Sequence, residues 1–400
     1  MCQEQLRVYV LHGGSARYAG TLMDSSELLV IGAGPYGVAT AARAIERGIE
    51  TIVVGGPMSF WKQHMPEGMC LRSGPDWHLD AAGVHTFEAF LEEVGIAPNE
   101  VDPVPIRVFL DYATWFQDHK GVVARENLVT QLTYNGKKFE ALLGNGEQIT
   151  AEAVVAAPGI RHFQQLPPWA YSVPPGVGAH TGDLVHFEDL RGARVLIVGG
   201  RQSAYEWAAL IGEQGAERID IVHRHDVPLF ERVSWKFVDD YVDSMLAVPG
   251  WWRVLSHSER ERIARQFWEV GRLTLEWWLI PRLATDQFHR WPGTSVIDIR
   301  EDNGAVVADL SNGERLSVDR IVFATGYKAN LPNVPYLGGL VDKVDLVDGF
   351  PVLDQTFQSS IAGLYITGFA ATRDFGPFLG FTKACPAAAT LIVESLLRRA

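Results

Sequence analysis

The sequence predicts an α/β chain built from two βαβ units of one design, with helices on both faces of parallel sheets and a helical insert in the second unit. Three observations carry this fold class. A glycine-rich turn joins an apolar strand to a helix near residue 32, a second such turn follows 167 residues later at Gly199, and two strand-ending glycines, Gly159 and Gly326, repeat the same offset. Equal spacings with matched turn chemistry mark an internal duplication.

The first turn lies in Leu28 to Gly37, LLVIGAGPYG. Leu28 to Ile31 reads as a buried strand and Pro35 to Arg47 as a helix that stops at Gly48. Between them Gly32, Gly34 and Gly37 form G-x-G-x-x-G. The glycines serve a tight turn, close approach of backbone to a pyrophosphate, and close packing of helix on strand. Pro35 and Tyr36 open the helix at the phosphate end. Thr51 to Val54 is the next strand, and its end should carry an acid for the ribose hydroxyls. Gly55 and Gly56 stand there instead, so backbone or another side chain must hold that ribose. Ser59-Phe60-Trp61 and the run Gly68 to His78 follow. The run reads either as an irregular surface loop or, given its aromatic content beside a fingerprint, as a loop covering a cofactor. Phe87 to Val94 and Val108 to His119 show helical periodicity.

The second turn, VLIVGGRQSA over Val195 to Ala204, places Gly199 and Gly200 after a strand and opens a helix at Gln202 or Ser203. Ala204 is the permitted variant of the last glycine, whereas Arg201 replaces the middle one and brings a fixed positive charge to the phosphate turn. Before Gly159 and Gly326 come two hairpin turns, Asn145-Gly146 and Asn312-Gly313. At the end of the strand Ile219 to Val222 stand His223 and Arg224, where readers of a 2′-phosphate place cations. Between Glu231 and Trp291 lie seven tryptophans, 235, 251, 252, 268, 277, 278 and 291, on largely helical sequence such as Ser258 to Trp278. They read either as the core of a helical insert or as a substrate-facing or subunit-facing surface.

Two dinucleotide sites in one chain imply electron transfer between two cofactors, FAD and a nicotinamide, with Arg201, His223 and Arg224 favouring NADPH. The expected domains are 26–160 for the first part of an FAD unit, 161–325 for an NADPH unit with the insert at 231–292, and 326–400 for the rest of the FAD unit. With 400 residues, 47% of them hydrophobic, the chain can bury a large core; a net charge of −13 argues against nucleic acid or an anionic membrane as partner. Three separated cysteines, Cys2, Cys70 and Cys385, offer neither a C-x-x-C dithiol nor a zinc site. No signal peptide or long uncharged apolar run is evident, which leaves a cytoplasmic enzyme as the expectation, and a homodimer is compatible with the sequence. Met1 to Ser25 read as a frayed extension or one added edge strand, and Phe378 to Leu397 as a buried helix.

These motifs resemble the class B flavoprotein monooxygenases, which include flavin-containing monooxygenases, Baeyer–Villiger monooxygenases and amine N-hydroxylases. The resemblance rests on Gly32-Ala33-Gly34-Pro35-Tyr36-Gly37, on Phe60 and Trp61, on Gly199-Gly200-Arg201-Gln202-Ser203-Ala204, on Ala324-Thr325-Gly326-Tyr327, and on the linker His180 to Leu190. In that linker Gly182 and His186 keep the family fingerprint while His180 and Leu190 replace its aromatic ends. The resemblance implies two Rossmann-like, three-layer units of glutathione-reductase-like type and a cycle in which NADPH reduces FAD, oxygen yields a C4a-hydroperoxide, and one oxygen atom passes to a small nucleophilic substrate, as in N-hydroxylation. It places Trp61, Arg72, Ser73, Asp76, Trp77 and His78 near the flavin. Gly368 and Phe369 fall at the last flavin-binding strand end, and a final helix starts near Lys383, its N-terminus facing reduced flavin. Gly159, Thr325, Gly326 and Tyr327 complete the cofactor set, and Asp76, His78 and Asp374 are the candidates for direct catalytic contact; no metal is implied. Two alternatives remain open at this point: an NADPH oxidase or reductase without oxygen insertion, and a degenerate flavin-binding module.

Overall fold

The computed structural model describes residues 23–302 and 305–399. A seven-stranded sheet runs in the order Ala124–Arg125, Thr51–Val54, Met23–Ile31, Gln148–Ala156, Phe139–Leu143 and Val129–Tyr134, with Leu364–Ile366 also on Gln148–Ala156. The strands that carry the fingerprint are parallel, Leu28 to Ile31 lying against both Thr51 to Val54 and Ala153 to Ala156. Met23 to Ser25 are therefore not an edge. They extend a central strand opposite Gln148 to Thr150, because the alternation of side chains continues unbroken into Leu28; residues 1–22 lie outside the described residues.

The second sheet has five parallel strands in the order Phe288–Trp291, Arg218–Val222, Arg194–Val198, Arg320–Phe323 and Gly178–His180. A three-stranded antiparallel sheet, Val296–Asp302, Ala305–Leu310 and Arg315–Val318, accompanies it. The duplication is exact to the hydrogen bond. The Gly32 N–H donates to Val54 O at 2.8 Å and the Gly199 N–H to Val222 O at 2.9 Å, while the Ala157 and Ala324 N–H groups close the turns on Ile31 and Val198 at 2.9 Å each. The helices Pro35–Glu46 and Gln202–Glu213 start where the glycine patterns place them.

The insert departs from expectation in two respects. The helix His257–Trp268 does not run on to Trp278: a π turn, Glu269–Leu273, follows it, and Thr274–Glu276 is a strand parallel to Leu229–Glu231. The physical reason is long-range, since Arg72 binds the Gly271 and Thr274 carbonyls and the Glu276 carboxylate, which a continuous helix would have turned apart. The insert also divides its loyalty. Trp235, Val238, Val242, Met245, Trp252, Ile263 and Phe267 join the core around the first sheet, whereas Leu275, Leu279 and Leu283 join the core of the second. The aromatics thus mostly build core: Trp235 meets Phe381 at 4.9 Å between ring centroids, and Trp252 donates its indole N–H to Arg373 O at 3.1 Å. Trp268 and Trp277 stand outside the cores, Trp268 being 41% exposed.

The last helix is Cys385–Leu397, preceded by a 3-10 turn over Thr382–Ala384. It begins two residues beyond Lys383, which instead bridges carboxylates as described below. No helix among the described residues is long and apolar enough to cross a membrane.

Candidate functional site

Both phosphate turns are shaped by backbone crowding. Gly32 has φ +105°, and a Cβ on it would stand 2.3 Å from Ala157 O; one on Gly37 would stand 1.8 Å from Gly32 O. Gly34 differs: it has φ −80° and nothing lies within 4 Å of the position a Cβ would take. Gly32 and Gly37 are therefore required by the protein's own packing, while Gly34 faces open space at the start of a helix without a side-chain cap. The unsatisfied N–H groups and positive end of that helix suit a pyrophosphate. Gly55 has φ +136°, and a side chain there would press on Ala33 N at 3.1 Å, so backbone geometry explains why no ribose acid occupies this position. Gly56 is close to Ser59, 3.3 Å from its Cβ.

In the second turn Gly199 repeats Gly32, with φ +133° and a Cβ position 2.3 Å from Ala324 O. Gly200 packs under the His223 ring, whose Cγ lies 2.4 Å from the Cβ position. Arg201 has φ −110° and ψ −174°, close to the −80° and −175° of Gly34, so its backbone needs no glycine. Its guanidinium lies over the Trp268 ring, 4.1 Å from the centroid. Gln202 accepts the Glu276 N–H at 3.1 Å and donates to Glu206 at 2.9 Å; Ser203 is exposed and Ala204 buried in the helix. His223 is buried, with one ring nitrogen at 3.0 Å from Tyr205 Oη and the other at 2.8 Å from His225 O. Burial lowers its pKa, and both ring nitrogens are occupied, which leaves Arg224, exposed at the strand end, as the outward cation of the pair.

The two halves meet at the linker. His64, in the first half, binds Gly182 O at 2.6 Å and is held on its other nitrogen by Arg161. His180 accepts the Gly182 N–H at 3.1 Å, reaches Gly326 O at 3.2 Å and stands edge-on to Tyr327 at 5.0 Å. Tyr327 in turn meets Phe60 at 6.4 Å, and burial raises its pKa to about 12. Trp61 packs on Phe109 at 4.6 Å. Gly159 and Gly326 take matching left-handed conformations, φ +65° and +79°, with open space at each Cβ position. Thr325 donates its hydroxyl to Gln165 O.

Around the covering loop, Arg72 is committed. Its Nε donates to Glu276 at 2.8 Å, its other nitrogens to Gly271 O and Thr274 O, and its plane lies over Trp235. Burial raises the Glu276 pKa against the pull of Arg72. Ser73 is half-buried beside it and Asp76 is exposed. Lys383 approaches Asp76 at 3.7 Å, pairs with Asp239 of the insert, and lies 5.6 Å from the Trp77 ring centre. Asp374 is buried and accepts from Leu353 N–H at 2.8 Å and from Arg373 at 2.9 Å. Tyr36 ties its hydroxyl to Leu379 O and Phe381 O at 2.8 and 2.9 Å, and its ring backs Gly368, whose φ is +76°. Phe369 lies 6.3 Å from Phe163.

Among the described residues, the buried polar atoms without a hydrogen-bond partner include His78 Nδ1 in the covering loop and Thr367 Oγ1 at the strand end just before Gly368. Burial lowers the His78 pKa, which favours the neutral imidazole. Unpaired buried polar groups cost about 1–3 kcal/mol each, and a bound flavin could satisfy them. Open Gly34, uncapped helix starts and these orphans fit FAD in the first half; the repeated turn with Arg201 and Arg224 fits a pyridine nucleotide in the second.

The sequence pattern of the pyridine nucleotide-disulphide oxidoreductases matches residues 29–234. The chain belongs to this family. By that membership it is a pyridine-nucleotide oxidoreductase. "Probable indole-3-pyruvate monooxygenase YUCCA8" of Arabidopsis thaliana is 25% identical over 385 residues, covering 85% of this chain and 83% of that protein. Among solved structures, the Kutzneria sp. 744 ornithine N-hydroxylase with reduced FAD, NADP+ and L-ornithine superposes with a TM-score of 0.79 at 17% identity, over 94% of this chain and 99% of that one. The ornithine hydroxylase PvdA of Pseudomonas aeruginosa gives 0.75 at 18% identity, with the same coverage. The solved structures establish the fold. Among the described residues Cys70 and Cys385 are free thiols, and burial raises the Cys70 pKa to about 11; Cys2 lies outside the described residues.

The sequence missed Glu276, Thr367, the stacking of Arg201 on Trp268 and the bridging role of Lys383. Their partners are brought together only by folding, Arg72 and Glu276 being 204 positions apart.

Proposed function

We propose that the chain is an FAD- and NADPH-dependent monooxygenase that inserts one oxygen atom into a small nucleophilic substrate, by N-hydroxylation or related heteroatom oxidation. The observation that carries the reading is the pair of superposable phosphate turns, one with open space at Gly34 and one armed with Arg201. When bound, FAD supplies hydride acceptance from NADPH and activation of molecular oxygen. The protein's part is to bind, orient and exclude water. Gly34 and the first turn of the helix that begins at Pro35 would hold the FAD pyrophosphate through backbone N–H groups, with Gly32, whose own N–H is given to Val54 O, shaping the turn, and Arg201 with Arg224 would hold the phosphates of NADPH. His78, favoured in its neutral form by burial and carrying an unpaired Nδ1, is the residue we assign to direct contact with flavin or substrate. Asp374 and Arg72 act structurally, since their polar atoms already fasten the C-terminal segment and the insert; Asp76 acts through Lys383. Trp77, Trp235 and Phe381 form an aromatic wall that keeps water from the covering loop.

The test is direct. Purified protein should be yellow, its flavin bleached by NADPH without air, and a screen of amines, sulfides and ketones under labelled oxygen should yield a product heavier by one labelled atom. Colourless protein that cannot take up FAD refutes the reading, and full conversion of oxygen to peroxide with every substrate replaces it with an oxidase.

A further inference from the structure

The segment Trp268 to Glu276 is gripped from both halves of the molecule, and the two grips are unlike. From the first half, Arg72 binds Gly271 O, Thr274 O at 3.0 Å and the Glu276 carboxylate at 2.8 Å. Glu276 is 3% exposed, and its N–H donates across to Gln202 of the second half at 3.1 Å, so this end is tied to both halves. Gly271 sits so close to Trp235 that a Cβ there would stand 2.6 Å from the ring. This end is buried, hydrogen-bonded and closely packed. From the second half, Arg201 lies face-on over Trp268, which is 41% exposed. The π turn Glu269–Leu273, an element that concentrates at functional sites, leads from Trp268 into the Arg72 grip, which takes hold within it at Gly271 O. The preceding residues, Ile263 and Phe267, pack on the first core and the following Leu275 on the second, so the segment also spans the two cores.

Arg201 stands where the first turn has Gly34, in nearly the same backbone conformation. Its replacement of glycine therefore acts through the side chain, and that side chain lies on an indole. A pyrophosphate at this helix start would offer the guanidinium charge-assisted, two-pronged hydrogen bonds, which are stronger than a stack on a half-exposed ring. We propose that Trp268 gates the nicotinamide dinucleotide site: the indole holds Arg201, a dinucleotide pyrophosphate draws it away, and the released end of the insert loosens while Gly271 to Glu276 stays pinned by Arg72. Breaking the stack subtracts from binding, so the gate weakens dinucleotide affinity by the same free energy with which the dinucleotide loosens the segment. The inference rests on the assignment of the second turn to NADPH.

The experiment uses the full chain loaded with FAD, with NADP+ as the probe so that no turnover intervenes. Calorimetry gives the dissociation constant, and hydrogen exchange compares peptides covering 262–270 with those covering 272–276. In the wild type, NADP+ should speed exchange in 262–270 and leave 272–276 unchanged. Trp268→Ala should tighten NADP+ about 3- to 10-fold and abolish the exchange response, whereas Trp268→Phe, which keeps a ring under the guanidinium, should retain most of it. Arg201→Gly should remove the response, and adding Trp268→Ala to it should gain no affinity. NADP+ binding without a change in 262–270, or weaker binding by a correctly folded Trp268→Ala with full flavin content, overturns the gate alone. No NADP+ binding by the wild type overturns both the gate and the nicotinamide assignment.

Discussion

Gly34→Ala and Gly37→Ala separate what a cofactor demands of the first turn from what the protein demands. At Gly34, φ is −80° and no atom lies within 4 Å of the added methyl. Alanine adopts that backbone without strain, so the apoprotein should be as stable as the wild type or more stable by about 0.4–1 kcal/mol, through loss of unfolded-chain entropy. The methyl would nonetheless hold a pyrophosphate off the helix start. Losing one charge-assisted backbone bond at about 1.5–3 kcal/mol weakens FAD binding roughly 10- to 150-fold. At Gly37 the methyl would stand 1.8 Å from Gly32 O, a backbone atom that cannot swing aside. Overpacking ordinarily costs about 1–3 kcal/mol, and this contact lies beyond the ordinary, so Gly37→Ala should destabilise the apoprotein by at least that much. Urea unfolding of the apoproteins and fluorescence titration with FAD read the two quantities independently. Unchanged FAD affinity in Gly34→Ala would remove the phosphate from this turn, and a fully stable Gly37→Ala apoprotein would contradict the close packing of helix on strand.

Lys120→Met should destabilise the fold by about 3–5 kcal/mol in chemical denaturation, because it strands Asp80, which is 1% exposed, lies 2.8 Å from Lys120 and has its pKa lowered to about 2; a loss under 1 kcal/mol would show that the backbone N–H groups of Ala82, Val84 and His85 suffice. Burial lowers the native pKa of His78, His162, His180 and His223. At these four sites the unfolded chain then binds more protons than the native one once pH falls below about 6.5, so their contribution to stability should decline from there down through the native values, against an opposing contribution from Glu206 and Glu276, whose pKa values burial raises; NMR titration of the four imidazoles checks the sign, and a native value at or above about 6.5 would contradict it for that residue. Arg224→Ala should raise the KM for NADPH far more than that for NADH, and equal changes in steady-state kinetics would remove Arg224 from the 2′-phosphate.

Elements set by local chemistry were legible before folding. The strand, turn and helix at Leu28 to Glu46 follow from an apolar run, glycines at fixed offsets and a proline at the first helical position; the same is true at Arg194 to Glu213. The Asn-Gly hairpins join the strands expected of them, Phe139–Leu143 to Gln148–Ala156 and Ala305–Leu310 to Arg315–Val318. Helical periodicity misjudged the end of the insert, where three bonds from Arg72 overrode it. At Asp374 and Arg72 residue type and position point to the site, but type alone does not say which partner takes a side chain's hydrogen bonds.

The sequence by itself determined the duplicated design, the two glycine-rich turns, the glycine rather than an acid at position 55 and the positive charge at Arg201, because each depends on residues within one turn of chain and on a spacing that counting reveals. Tertiary structure alone decided that the tryptophan-rich insert is shared between two cores, that Lys383 joins Asp76 to Asp239, that His78 and Thr367 hold unpaired polar atoms, and that Arg201 lies on Trp268. Those facts depend on groups far apart in the chain, whose meeting is set by how the two sheets and the insert bury their apolar faces together.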